Sequence, residues 1–169
     1  MTKLANLPAI DSGLVHVVVE ASRGMTAKCK YDPKKGLFVL GKSLPHGLVY
    51  PYDWGFIPGT KAGDGDPLDA LVLHDAACPV GCLIECRPIA VLRIEQKEKG
   101  KAPVRNDRFL LIPDADKAVK KDLLTDHLKQ ELEQFFQGVV LGGGKTLTIL
   151  GWKGASAAMK AIRQASAGD

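Results

Sequence analysis

No run of the chain approaches the roughly 20 apolar residues that a membrane-spanning helix requires. The first residues, Met1 to Leu7, carry one lysine and no sustained apolar stretch behind it, so no secretory leader is expected and the expected compartment is the cytoplasm. Cysteine is sparse. Cys29, Cys78, Cys82 and Cys86 are the four present, the last three at intervals of four, which is neither the close pair of a zinc knuckle nor a redox pair. They read as small buried thiols, reduced in the cytosol. Basic residues are scattered rather than interleaved with aromatics, and the formal charge is only +4, so a nucleic-acid interface has no support and none is expected. Histidine is equally thin. His16, His46, His74 and His127 are dispersed without ligand spacing and read as surface or structural residues.

What remains is an ordinary globular composition, 46% apolar and 25% charged over 169 residues, enough for one core and read as a single domain spanning 1–169. The first two thirds suggest β-structure. Leu14–Val19 is a β-branched run, and Gly36–Leu40 follows a Pro33-Lys34-Lys35 turn. Further strands are expected at Leu68–Leu73, Gly81–Arg87, Ile89–Ile94 and Arg108–Ile112, closing a compact barrel of antiparallel strands. The charged stretch Glu95–Asp107 reads as an exposed loop. From Asp116 to Gln137 the pattern turns helical, with Leu124, Leu128, Leu132, Phe135 and Phe136 on one stripe. A strand at Thr146–Leu150, a break at Gly151-Trp152 and a helix over Ala155–Ala165 complete the chain. Gly142-Gly143-Gly144-Lys145-Thr146 invites comparison with a phosphate-binding loop, but Val139 stands where such a loop needs glycine and a strand follows, so it reads as a connecting turn.

The chemistry concentrates in Asp64-Gly65-Asp66-Pro67-Leu68-Asp69. Three carboxylates this close repel one another, and a hard cation holds them ionised together. Gly65 permits a tight turn and Pro67 fixes one dihedral between the acids. Taken alone, the loop is equally readable as a solvated acidic turn. A calcium-binding helix–loop–helix is excluded, because Leu68 would fall on a ligand position and Asp69 on the position that needs glycine.

The company of the loop narrows the choice. Glu20 at a strand end, Lys28, Tyr50-Pro51 before Gly55, the Asp64–Asp69 segment, Cys86–Leu92, Phe135-Phe136 and Gly151-Trp152 together resemble the soluble inorganic pyrophosphatases over roughly residues 14 to 165. The resemblance implies a mainly β fold with helices, a small five-stranded, OB-like distorted β-barrel flanked by helices. It implies hydrolysis of pyrophosphate to two phosphates with Mg²⁺, and a homo-oligomer, a hexamer in family members of this size. Carried over by position, Asp64, Asp66, Asp69 and Glu20 would be metal ligands, and Asp66 would also orient or deprotonate the attacking water. Lys28, Lys42 (where the family has Arg), Tyr50 and Arg108 (where it has Lys) would face phosphate.

Several positions depart from the family pattern. Lys-x-Glu becomes Lys28-Cys29-Lys30, the second tyrosine becomes Trp54, two loop acids align with Gln96 and Asn106, and a Tyr-Lys pair becomes Val139-Val140. Glu95, Glu98 or Asp107 would have to replace the loop acids. Lys30 is expected to meet phosphate where a metal would otherwise sit, with fewer or weaker metal sites. The expected activity is pyrophosphate hydrolysis with altered kinetics. The alternative is a weak or silent homologue that binds a phosphorylated anion as a regulator or partner subunit, and a third option is another phosphoanhydride substrate.

Overall fold

The computed structural model describes residue 4 and residues 7–115, 123–141 and 143–166. Their strands are β1 (Ile10–Asp11), β2 (Leu14–Ala21), β3 (Ala27–Asp32), β4 (Leu37–Ser43), β5 (Asp53–Ile57), β6 (Leu68–Val72), β7 (Leu83–Glu98), β8 (Val104–Arg105), β9 (Arg108–Pro113) and β10 (Lys145–Gly154). Two helices, α1 (Asp126–Val140) and α2 (Ala155–Ser166), accompany them. Five strands close a ring: β2 pairs β5, β5 pairs β6, β6 pairs β9, β9 pairs β7, and β7 returns to β2. The barrel is distorted, as expected, and β3–β4 form a separate hairpin.

Four features differ from the sequence expectation. The ring is not wholly antiparallel, because β6 and β9 run parallel; β7 and β8 lie between them in the chain and supply the crossover that a parallel pair needs. Gly81–Arg87 and Ile89–Ile94 are one strand of 16 residues rather than two, starting at Leu83. Pro88 resembles a breaker but sits at a register shift between Pro88 and Ala90, where the missing N–H costs nothing. Glu95–Asp107 is not simply a loop, since β7 continues to Glu98 and Gln96 pairs with Val104 of β8. Gly151 does not end β10; at φ 102° it forms a bulge, and pairing with β7 resumes to Gly154. The expected start of the first helix, Asp116, lies outside the described residues, as do Met1 to Lys3 and Gly142.

Alternation along each strand feeds two apolar clusters. Val15, Val17, Val19, Ala70, Val72, Phe109 and Leu111 pack with Ala158 and Ile162 of α2. Leu71, Leu73, Leu92, Ile94, Leu110 and Ile112 pack with Leu132, Phe135 and Phe136 of α1. Thr125 caps α1, its side chain accepting from the Leu128 N–H, and the stripe foreseen from Leu124 to Phe136 is the face that packs. Gly55 allows β2 and β5 to cross closely, because a Cβ there would stand 2.1 Å from the Val18 carbonyl oxygen.

Candidate active site

The Asp64–Asp69 segment is a tight turn leading into β6. Gly65 adopts φ 89°, the Asp66 N–H donates to Asp64 Oδ1 at 3.1 Å, and the Ala62 N–H donates to the Asp66 carbonyl at 2.7 Å. The Leu68 N–H donates to Thr60 Oγ1 at 3.0 Å, which ties the end of the turn to the end of β5. The result displays Asp64 and Asp66 to solvent and half-buries Asp69 at the start of the strand.

Long-range pairing supplies the partners. The parallel register sets Asp69 beside Arg108, and Arg108 Nη1 donates to Asp69 Oδ2 and to Asn106 Oδ1. Lys30, on β3, donates to both Asp66 oxygens at 3.2 Å. Lys28, two residues earlier, lies 3.4 Å from Glu20 Oε2 on β2. Burial raises the Glu20 carboxyl above its usual value, with the Lys28 ammonium opposing. Tyr50, Trp54, Phe135 and Phe136 form an aromatic wall with centroid separations from 5.5 to 6.0 Å. Burial, and then the Glu20 and Asp69 charges, push the Tyr50 phenol far above its ordinary value, so it remains a protonated donor.

These groups border a cleft of two lobes. One, of about 430 Å³, is lined by Glu20, Lys28, Lys30, Asp66 and Asp69. The other, of about 280 Å³, is lined by Lys28, Lys42, Tyr50, Asp64, Asp66, Asp69 and Arg108. Every residue carried over as a metal or phosphate contact, and Lys30 with them, therefore reaches one lobe or both. Val139, Val140, Gln96 and Asn106 line the smaller lobe too, so those departures fall inside the cleft. Asn106 Nδ2 donates to Gln96 Oε1 at 3.2 Å, a neutral contact that needs no cation between its members.

Two of the three acids offered as replacements, Asp107 and Glu98, are engaged elsewhere. Asp107 Oδ1 accepts from the Ile94 N–H at 2.9 Å and from Arg105 Nε at 2.7 Å. Glu98 lies 2.6 Å from Lys101 and 2.8 Å from Lys145, contacts that hold its carboxyl down at about 2. Sequence reasoning missed Lys145 as a wall of the smaller lobe, because only the pairing of β10 with β7 brings it there.

A second set of ligand-type side chains, Asp53, His74 and Cys78, has donor atoms within 4.8 Å of one another. Its carboxylate is already used. Asp53 Oδ1 accepts from the Arg23 N–H, and Oδ2 accepts from the Cys78 N–H and meets His74 Nε2, each at 2.8 Å. The cluster clamps β5 to two flanking turns, which gives His74 the structural role expected of it in a buried rather than a surface position. Burial, then the neighbouring Cys82 and Asp53, raise the Cys78 thiol to about 11. All four cysteines are free.

Comparison with known proteins gives a consistent result. A family model described as inorganic pyrophosphatase matches residues 17–168. The inorganic pyrophosphatase of Thermus thermophilus is 35% identical over 178 aligned residues, covering 96% of this chain and 95% of that protein. The inorganic pyrophosphatase of a Synechocystis species is 34% identical, with 95% of each covered. The crystal structure of the Thermus thermophilus inorganic pyrophosphatase superposes with a TM-score of 0.87 at 33% identity, covering 98% of both chains. That of Neisseria gonorrhoeae gives 0.85 at 27% identity, also with 98% of both.

Proposed function

The chain belongs to the inorganic pyrophosphatase family, and on that premise we propose that it hydrolyses pyrophosphate to two phosphates with Mg²⁺. The observation that carries this reading is the convergence of four carboxylates, Glu20, Asp64, Asp66 and Asp69, and four cations, Lys28, Lys30, Lys42 and Arg108, on one cleft. A polyanion that travels with a hard cation needs both kinds of wall.

The donor set fits such a cation. Asp64 and Asp66 present exposed carboxylate oxygens on a tight turn, and Asp69 and Glu20 stand behind them. Mg²⁺ held there supplies charge neutralisation and makes the attacking water easier to deprotonate. Asp66 takes the water proton. The water oxygen bonds to one phosphorus while the bridging P–O bond breaks, and the bridging oxygen leaves on the second phosphate. Lys28, Lys42, Arg108 and the protonated Tyr50 hydroxyl hold that leaving phosphate as its charge grows. The same family reading makes the protein cytoplasmic and a homo-oligomer of hexamer type, which light scattering after size exclusion checks.

A second reading is a weak or silent homologue that binds a phosphorylated anion. It is favoured by Lys30 on Asp66 and by the neutral Gln96–Asn106 contact. Phosphate release from pyrophosphate with Mg²⁺, run beside Asp66→Asn, separates the two. The first expects release well above the variant. A parent no faster than the variant, yet binding phosphate by calorimetry, supports the second.

A further inference from the structure

Outside the cleft, Asp53, His74 and Cys78 bring a carboxylate oxygen, a ring nitrogen and a sulfur within 4.8 Å of one another. The Cys82 thiol adjoins that of Cys78. His74, Cys78 and Cys82 follow at intervals of four between β6 and β7, and Asp53 joins them from β5. None of the four lines either lobe of the cleft. Backbone hydrogen bonds fix the segment that carries the thiols. The Cys82 N–H donates to the Pro79 carbonyl, and the Val19 N–H of β2 to the Cys82 carbonyl, each at 3.0 Å. Both sulfurs therefore sit on a frame that forms without an ion.

One proton holds the centre of this cluster. Asp53 is fully buried, and among the described residues its only side-chain charge partner is His74, whose Nε2 meets Oδ2 at 2.8 Å. Such a contact between nitrogen and carboxylate contains a single proton. A divalent ion in its place takes the nitrogen and the oxygen together, and the imidazole proton moves to Nδ1. Of the three contacts on the carboxylate only that one is replaced; Oδ1 keeps the Arg23 N–H and Oδ2 the Cys78 N–H. Ligand atoms around one Zn²⁺ stand about 3.3–3.8 Å apart, so donors already within 4.8 Å close on it by small side-chain rotations. Cys78 and Cys82 are only part-buried, which leaves the ion a path from solvent.

We propose that Asp53, His74, Cys78 and Cys82 form a tetrahedral Zn²⁺ site, separate from the cleft and independent of the pyrophosphatase reading. Two sulfurs and an imidazole select a soft ion over Mg²⁺, whereas the oxygen donors of Asp64, Asp66 and Asp69 suit a hard one. On binding, both thiols release their protons to solvent. The ion's two charges cancel those of the two thiolates, and Asp53 keeps the charge it carries without the ion. The ion ties β5 to the segment between β6 and β7, the same elements that the hydrogen-bonded clamp joins.

Co²⁺ takes the same tetrahedral ligands and reports them by absorption, so it reads the site whatever the cleft binds. It is titrated into the protein, kept reduced with a phosphine, at saturating Mg²⁺. A thiolate-to-metal charge-transfer band is expected to grow to one ion per chain, and Zn²⁺ to abolish it. Cys78→Ser and Cys82→Ser are expected to lose the band, and Cys29→Ser, on β3, to keep it. One equivalent of Zn²⁺ should raise the Tm of the parent and leave that of Cys82→Ser unchanged. A parent without the band overturns the site. So does a band that survives both serine changes at 78 and 82, or one that only Cys29→Ser removes. Should Cys78→Ser fail to fold, Cys82→Ser decides between the same outcomes.

Discussion

Replacing Lys30 perturbs the proposed metal wall at one point and by a calculable amount. Its ammonium lies 3.2 Å from both oxygens of Asp66. A Mg²⁺ ion on the same carboxylate, at the usual oxygen distance, would stand about 4–5 Å from that ammonium if the side chain stayed in place. Both side chains are more than half exposed, at 56% and 64%, so a water-like dielectric applies. A double and a single charge at that separation repel by about 1.5–2 kcal/mol in water, and physiological salt roughly halves this. Lys30→Met is therefore expected to tighten Mg²⁺ binding by about fivefold, and Lys30→Glu by more, since it replaces repulsion with attraction. Calorimetric titration of Mg²⁺ into parent and both variants, at low and at physiological salt, reads this directly. The gain should shrink as salt rises. Equal affinities in the three proteins, or a gain indifferent to salt, would refute the electrostatic account.

Three further outcomes are expected. Gln96→Asp with Asn106→Asp turns a neutral contact of 3.2 Å into two facing carboxylates, so Mg²⁺ stoichiometry by calorimetry should rise and the metal-free Tm should fall. Glu20, raised above 4.5 by burial, favours its protonated form in the folded state. Its contribution to stability is thus full below that value and lost as pH climbs through the folded value, so with a chelator present Glu20→Gln should melt above the parent near neutral pH and level with it in acid. Gly55→Ala would press a Cβ to 2.1 Å from the Val18 oxygen, and the forced separation of β2 from β5 should cost about 3 kcal/mol or more, or about 10 °C in Tm. An alanine variant that melts with the parent would mean the two strands tolerate a wider crossing.

The acidic turn was legible because its acids lie within six residues and its geometry is local: a positive φ at Gly65 and a proline at 67. The face of α1 was legible for the same reason, a stripe of period near 3.6 ending at Phe135 and Phe136. What escaped was non-local. The parallel pairing of β6 with β9 leaves no mark in either strand, since Leu68–Val72 and Arg108–Pro113 are apolar runs that would look alike in any orientation. Pro88 reads as punctuation until β7 is seen to bulge there. Lys145 reads as part of a glycine-rich turn until β10, pairing as far as Glu98, carries it to the cleft. Trp54 was visible as a substitution, but its place against Phe136 follows from a contact between residues far apart in the chain.

The parallel register also decides which ion pair holds the cleft together and which can open. Asp69 and Arg108 are neighbours on adjacent strands, with side chains only 19% and 9% exposed, and separating them would leave a charge stranded in a poorly solvated place. Lys30 and Asp66 sit on a hairpin and a turn, in water, where an ion pair is worth at most about 1 kcal/mol and a competing cation can displace it. The buried pair fixes where Arg108 points. On the proposed reading the exposed pair is the one that would exchange partners, lysine to phosphate and aspartate to metal, when a polyanion and its cation arrive together. Binding of either should therefore favour binding of the other, because each removes the competitor that the other must displace.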